Sequence, residues 1–194
     1  MPVESGNIRD SQKTYVLDTS VLLADPAALQ RFQEHEVVLP IVVISELESK
    51  RDHPELGYFA RAALRILDDL RVEHGRLDAP MLINESGGTL TVELNHSDSS
   101  GLPASFFRDG TNDSRVLAVA RNLKREGRDV VLVTKDLPLR VKASAVGIVA
   151  EEYRAELAVS SGWSGIIELT LASEIVDQLY QNERVPTPEI ENLP

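Results

Sequence analysis

The stretch TYVLDTSVLL (residues 14–23) decides the fold. Tyr15, Val16 and Leu17 form an apolar run suited to a buried strand, and the run stops on a carboxylate, Asp18. Thr19 and Ser20 follow, and the apolar character returns with Val21, Leu22 and Leu23. Two readings of Asp18 stand side by side. Asp, Thr and Ser all cap helix N-termini, so Asp18 can cap a short helix starting near Ser20. Alternatively, Asp18 lies at the mouth of a sheet, where a carboxylate can bind a metal ion.

Working outward, "DPAALQRF" (25–32) starts a short helix with Asp25 as cap and Pro26 in its first turn. "EVVLP" (36–40) is a second strand. "IVVISELESK" (41–50) carries opposing signals. Its β-branched run favours a strand, whereas Pro40 suits a helix start. Val42, Val43 and Glu46 share one face at helical spacing, which selects helix. "PELGYFARAALRILDDLRVEH" (54–74) is an amphipathic helix with the apolar series Phe59, Ala63, Ile66 and Leu70. "MLINESGGTLTVELN" (81–95) reads as a hairpin turning at Ser86, Gly87 and Gly88, and 96–110 as a polar loop. "NDSRVLAVARNLKREG" (112–127) is a helix ending at Gly127, with Val116, Leu117, Ala120 and Leu123 facing inward. A buried strand "DVVLVT" (129–134), a helix "DLPLRVKASAVG" (136–147) and a short strand "IVAEE" (148–152) follow.

Strands alternating with helices predict an α/β fold, with a mainly parallel central sheet flanked by helices on both faces and a small hairpin insertion. Residues 1–13 form a loose arm and 14–153 the main domain. A strand "GIIELTLA" and a helix "SEIVDQLY" make an extension over 154–182, and 183–194 form a tail, read as a linker to a further domain. Ligands of such sheets bind beyond the C-terminal ends of the strands.

The chain has 194 residues, enough for a sizeable core. It has no cysteine, which excludes disulfides and thiolate metal sites and is compatible with a reducing cytoplasm, the expected location. Neither a signal-peptide core nor a stretch of membrane-spanning length appears, so no membrane partner is expected. With 31 acidic against 20 basic residues the net charge is −11, which opposes non-specific nucleic-acid binding. His35, His53, His74 and His96 show no ligand spacing and read as surface residues.

Asp18 and Asp136 each lie just beyond a strand, and they share a crevice if those strands are neighbours. Glu46 joins the apolar face of its helix. Asp113 opens the helix whose inward face starts at Val116, which would aim it at the sheet rather than at water. Each has a bland alternative: Asp113 and Asp136 as helix caps, Glu46 as a solvated charge. Four carboxylates buried at one end of a sheet need a counter-charge. A divalent cation meets that need, and oxygen ligands without cysteine or histidine favour Mg2+ or Mn2+.

The segments "VLDTSVLL", "LPIVVISELESK", "TNDSRVLAVA" and "VLVTKD" resemble, in order, the four signature segments of PIN-domain nucleases. With "GYFARAALRIL" and "RVKASAVGIVAEEY" the chain is most similar to the PIN domain at the N-terminus of PhoH-type proteins. The resemblance covers about residues 14–153 and is weaker to 182. It implies an acidic quartet at Asp18, Glu46, Asp113 and Asp136, with supporting hydroxyls at Thr19 or Ser20 and at Thr134. It implies a metal-dependent endoribonuclease acting on single-stranded RNA, with Asp18 and Asp136 as metal ligands, Asp113 as ligand or water-orienting group, and Glu46 completing the cage. Lys135, Arg115 and Arg140 are weak candidates for RNA phosphates, each more readily read as an ordinary solvated charge.

PhoH-type proteins usually continue into a P-loop ATPase domain, and no G-x-x-x-x-G-K-[ST] segment occurs in this sequence. An ATPase domain beyond the sequence is therefore an expected partner. Many PIN domains are toxins held by antitoxins, so the resemblance also implies an inhibitor of that kind as a partner. Two other classes fit the sequence less well. Haloacid-dehalogenase phosphatases need an aspartate where Ser20 stands, and a receiver domain needs a phospho-acceptor on a middle strand. The remaining alternative is a non-catalytic PIN-like module that regulates an ATPase or assembles a homo-oligomer.

Overall fold

The computed structural model describes residues 12–98, 102 and 111–154. Most of the expected N-terminal arm, much of the 96–110 loop, and the C-terminal extension and tail lie outside the described residues.

The first strand, β1 (Thr14–Leu17), runs straight into helix α1 (Thr19–Ala24) through Asp18. A 3-10 helix (Pro26–Gln30) follows, capped by Asp25, whose side chain accepts the Ala27 N–H. Next come β2 (Glu36–Pro40), α2 (Ile41–Ser49) and α3 (Gly57–His74). The hairpin strands β3 (Met81–Leu82) and β4 (Thr89–Glu93) precede α4 (Asn112–Arg125), β5 (Val130–Thr134), α5 (Leu137–Ala145) and β6 (Val149–Glu152).

The sheet order is β3-β4-β2-β1-β5-β6. Among the described residues, only the β3–β4 pair is antiparallel; the other pairs are parallel. The expected hairpin is thus part of the sheet, because β4 pairs along its length with β2. From β1 the chain moves outward through β2 to β4, then returns across the sheet to place β5 on the other side of β1. The direction of winding reverses between β1 and β5, and the crevice above such a point is where parallel sheets bind ligands.

Every residue of β5 is buried, so both faces of the sheet are covered there. Helix α4 packs over β1, β2 and β5, and α5 over β5 and β6. Helices α1, α2 and α3 pack on one another. The α2 segment is a helix, as its face pattern predicts. Pro40 ends the strand and starts the helix at once, with φ −58° and ψ 138°, and it has no N–H to leave unpaired.

Two expectations need correction. The α3 core stripe is Ala60, Ala63, Leu67 and Leu70, while Phe59 and Ile66 are half-buried at its flanks. Small alanines let α3 sit close to its neighbours, which rotates the larger side chains outward. Likewise, His53 and His74 are exposed but His35 and His96 are half-buried. His35 packs against Tyr15, with ring centroids 5.4 Å apart. His96 lies between Glu93 and Glu126 at 3.0 and 2.7 Å. After β6, the Tyr153 hydroxyl donates to Asp25 Oδ2 at 2.6 Å, fastening the sheet edge to the 3-10 helix. Burial and the adjacent Asp25 charge both push the Tyr153 phenol pKa up.

Candidate functional site

The register of β1 and β5 builds the centre of the site. Leu17 pairs with Val133, so the next residues, Asp18 and Thr134, stand beside each other as both strands end. The Asp18 N–H completes the ladder by donating to Val133 O at 3.1 Å. Asp18 is only 7% exposed and Thr134 is fully buried.

Three donors converge on one oxygen of Asp18. Its Oδ2 accepts the Ser20 hydroxyl at 2.6 Å, the Thr134 hydroxyl at 2.8 Å and the Ser20 N–H at 3.3 Å. Ser20 Oγ and Thr134 Oγ1 are 3.2 Å apart. With both hydroxyl protons committed to Asp18, neither bonds the other. Ser20 Oγ accepts the Lys135 N–H at 2.9 Å, and Thr134 Oγ1 accepts the Asp136 N–H at 3.0 Å. The two readings of Asp18 therefore coincide: it caps α1 and it is the hub of a hydroxyl network. Asp136 also has two positions in the architecture. It caps α5 by accepting the Leu139 N–H at 3.0 Å, and its backbone is held by Thr134.

Glu46 is half-buried and bridged from both sides. Its Oε2 accepts the Thr19 hydroxyl, and its Oε1 accepts Asn112 Nδ2 at 2.7 Å. Asp113 does not turn into the sheet as expected. It is half-buried, and Lys142 Nζ of α5 donates to its Oδ2 at 3.0 Å. The helix position explains this: Thr111 is the cap, so Asp113 sits within the first turn of α4, where it complements that helix's dipole, and reaches sideways to α5.

The network joins Asp18, Ser20, Thr134 and Asp136 directly. Thr19, Glu46 and Asn112 form a second cluster, connected to the first through the Asp18–Thr19 peptide. Among the described residues, no hydrogen bond network links Asp113 to the other three carboxylates. Asn112 and Lys142 were missed in sequence reasoning. Asn112 precedes a candidate carboxylate, which is a weak signal, and nothing in the spacing connects position 142 with 113. Of the candidate cations, Arg115 and Lys135 are exposed, whereas Arg140 is paired with Glu152 at 3.3 Å. Arg115 lines a cavity of about 430 Å³ together with Ser45, Thr111, Ser114, Val42 and Val119.

Among the described residues, no three His, Cys, Asp or Glu side chains come together as a cluster able to hold a metal ion. The donor chemistry nevertheless fits a hard cation. Among the described residues no hydrogen bond falls on Asp18 Oδ1, Asp113 Oδ1 or Asp136 Oδ2. Each of these carboxylates therefore keeps one oxygen without a hydrogen bond among the described residues, and oxygen donors suit magnesium-like ions.

Comparisons with known proteins agree with this architecture. The PIN domain family matches over residues 15–154. Protein PhoH2 of Thermobispora bispora is 60% identical over the whole chain, which spans 44% of that protein. Protein PhoH2 of Mycolicibacterium smegmatis is 59% identical over 94% of the chain and 41% of its own length. Protein PhoH2 of Bacillus subtilis is 40% identical over 92% of the chain and 42% of its own length. The chain thus spans less than half the length of these relatives.

Two solved structures are also similar. A domain of a functionally unknown protein from Methanocaldococcus jannaschii has 22% identity and a TM-score of 0.46, covering 82% of this chain and 99% of that one. The PIN domain of human SMG5 has 12% identity and a TM-score of 0.42, covering 72% and 92%. Both TM-scores are below 0.5, so the assignment rests on the sequence match. On that match and on the parallel sheet with its carboxylates at the β1 and β5 ends, the chain belongs to the PIN domain family, whose members are generally nucleases.

Proposed function

We propose that this chain is a divalent-metal-dependent ribonuclease that cleaves single-stranded RNA, and that it serves as the nuclease domain of a longer PhoH-type PIN–ATPase protein in the cytoplasm. The observation that carries this reading is Asp18. A nearly buried carboxylate has all three of its hydrogen bonds on Oδ2 and none, among the described residues, on Oδ1. One oxygen is fixed in place and the other is kept available beside the end of β5.

Asp18, Asp113 and Asp136 would hold Mg2+ or Mn2+, which would supply Lewis acidity and a water of lowered pKa for phosphodiester hydrolysis. The chain's own residues prepare for this. Ser20 and Thr134 lock the Asp18 rotamer. Thr134 also holds the Asp136 backbone, so one buried hydroxyl sets the spacing of two carboxylates. Thr19 and Asn112 hold Glu46 at the edge of the site. Arg115 and Lys135, both exposed, supply cations for RNA phosphates on an otherwise acidic protein. The greater length of the PhoH2 relatives leaves room for the ATPase domain.

The test is a single-stranded RNA cleavage assay with Mg2+ or Mn2+, with and without chelator, on wild type, Asp18→Asn and Asp136→Asn. Partners that merely orient metal ligands cost about 10–100-fold when removed, so loss of a ligand should cost at least about 100-fold. Cleavage by either variant at the wild-type rate, or cleavage untouched by chelator, would overturn the assignment.

A further inference from the structure

The four carboxylates differ in what neutralises them. Asp18 accepts two hydroxyls and a backbone N–H, Glu46 a hydroxyl and an amide, and Asp136 a backbone N–H. All of these donors are uncharged. Asp113 alone of the four has a cation among the described residues, Lys142 Nζ at 3.0 Å from Oδ2. Both side chains of this pair are partly exposed, Lys142 41% and Asp113 34%. An ion pair so placed is weak, and the lysine stem is flexible enough to swing away. The pair also joins two elements of the site, since α5 is the helix that Asp136 caps.

We propose that Lys142 is a resident counter-ion of the metal-free site, an ammonium that a divalent cation displaces from Asp113 on binding. This inference rests on the metal-dependent reading above. The ammonium offsets one carboxylate charge when no metal is present, and its displacement lowers the net affinity for metal. Lys142 thereby sets the metal concentration at which the site fills, without itself touching substrate.

The test is calorimetric Mn2+ binding to the full chain for wild type, Lys142→Met, Lys142→Arg, Lys135→Met and Asp18→Asn. Lys142→Met should bind manganese about twofold to fivefold more tightly, the size of a partly exposed ion pair. Lys142→Arg keeps the pair and should bind no more tightly than wild type. Lys135→Met removes the same charge from an exposed position with no carboxylate partner among the described residues, and should change affinity less than Lys142→Met does. In parallel, Mg2+ should shift the NMR signal of the Lys142 Cε group in wild type and leave it in place in Asp18→Asn.

An unchanged or weaker Kd for Lys142→Met, or one matched by Lys135→Met, overturns the counter-ion role. If Asp18→Asn also loses manganese binding in that case, the metal site stands and only the role of Lys142 falls. Equal binding by wild type and Asp18→Asn, or no binding by wild type, overturns the metal site and the counter-ion role together.

Discussion

Thr134 Oγ1 donates to Asp18 Oδ2 at 2.8 Å and accepts the Asp136 N–H at 3.0 Å. A single fully buried hydroxyl therefore connects two residues, Asp18 and Asp136, that lie just beyond the ends of the neighbouring strands β1 and β5. Replacing Thr134 with Val keeps the shape, leaves the Asp136 N–H without its partner, and strips one donor from Asp18. Stability should fall by about 1–3 kcal/mol in urea unfolding. Thr134→Ser keeps the hydroxyl and should lose only about 0.8 kcal/mol for one buried methyl. Equal losses in the two variants would show that the hydroxyl contributes nothing.

Asn112 donates to Glu46 Oε1 at 2.7 Å. Asn112→Ala should cost about 1.5 kcal/mol, the lower end for a hydrogen bond to a charged group. Asn112→Asp sets a second carboxylate against Glu46, and should cost more than the alanine variant at low ionic strength. That excess should shrink as salt screens the repulsion. Thermal melts at low and high salt measure it, and an excess indifferent to salt would rule out the charge argument.

His96 is held between Glu93 and Glu126. Burial alone would lower its pKa, but hydrogen bonds and charge from the two glutamates outweigh burial and raise it. For Glu93, burial acts upward and is outweighed by the Asn95 and His96 N–H groups and the His96 ring, so its pKa is lowered. A raised histidine pKa gives stability that is fully present below the unfolded value of about 6.5 and is lost as pH rises through the folded pKa. The lowered Glu93 pKa gives stability present above its unfolded value and lost as pH falls through the folded one. The clasp is therefore strongest between the unfolded Glu and His values. The stability gap between wild type and His96→Gln should be widest there and close on the alkaline side. Ring NMR of His96 should titrate above 6.5, and a midpoint below that value would sink the prediction.

Leu132 is fully buried in β5, beneath the crevice. Leu132→Ala should destabilise by about 2–5 kcal/mol through lost burial and a cavity. Denaturant unfolding measures this, and a loss under 1 kcal/mol would mean that the surrounding core collapses into the space.

Local pattern determined the succession of elements. The apolar runs at 14–17, 36–40 and 130–134, the helical face of Val42, Val43 and Glu46, and the caps at Asp18, Asp25 and Asp136 are all short-range features. A period of two or of 3.6, or a capping side chain, is written within a few neighbouring residues. The four candidate carboxylates were also picked out by local pattern: Asp18 and Asp136 follow apolar runs, Glu46 joins an apolar helical face, and Asp113 opens a helix.

The contacts that each of them makes were not legible. Thr134 meets Asp18 across 116 positions, Asn112 meets Glu46 across 66, and Lys142 meets Asp113 across 29. Each depends on strand order and register, which place β5 rather than β4 beside β1, and no one-dimensional period encodes that choice. The buried stripe of α3 also escaped the pattern. Two faces offset by one residue are both apolar, and only packing against α1 and α2 decides which turns inward. The sequence by itself determined which residues can bear charge and where strands and helices begin. The tertiary structure alone decided which hydroxyl, amide or ammonium each charge meets, because those partners come from distant segments brought together by burial of the sheet.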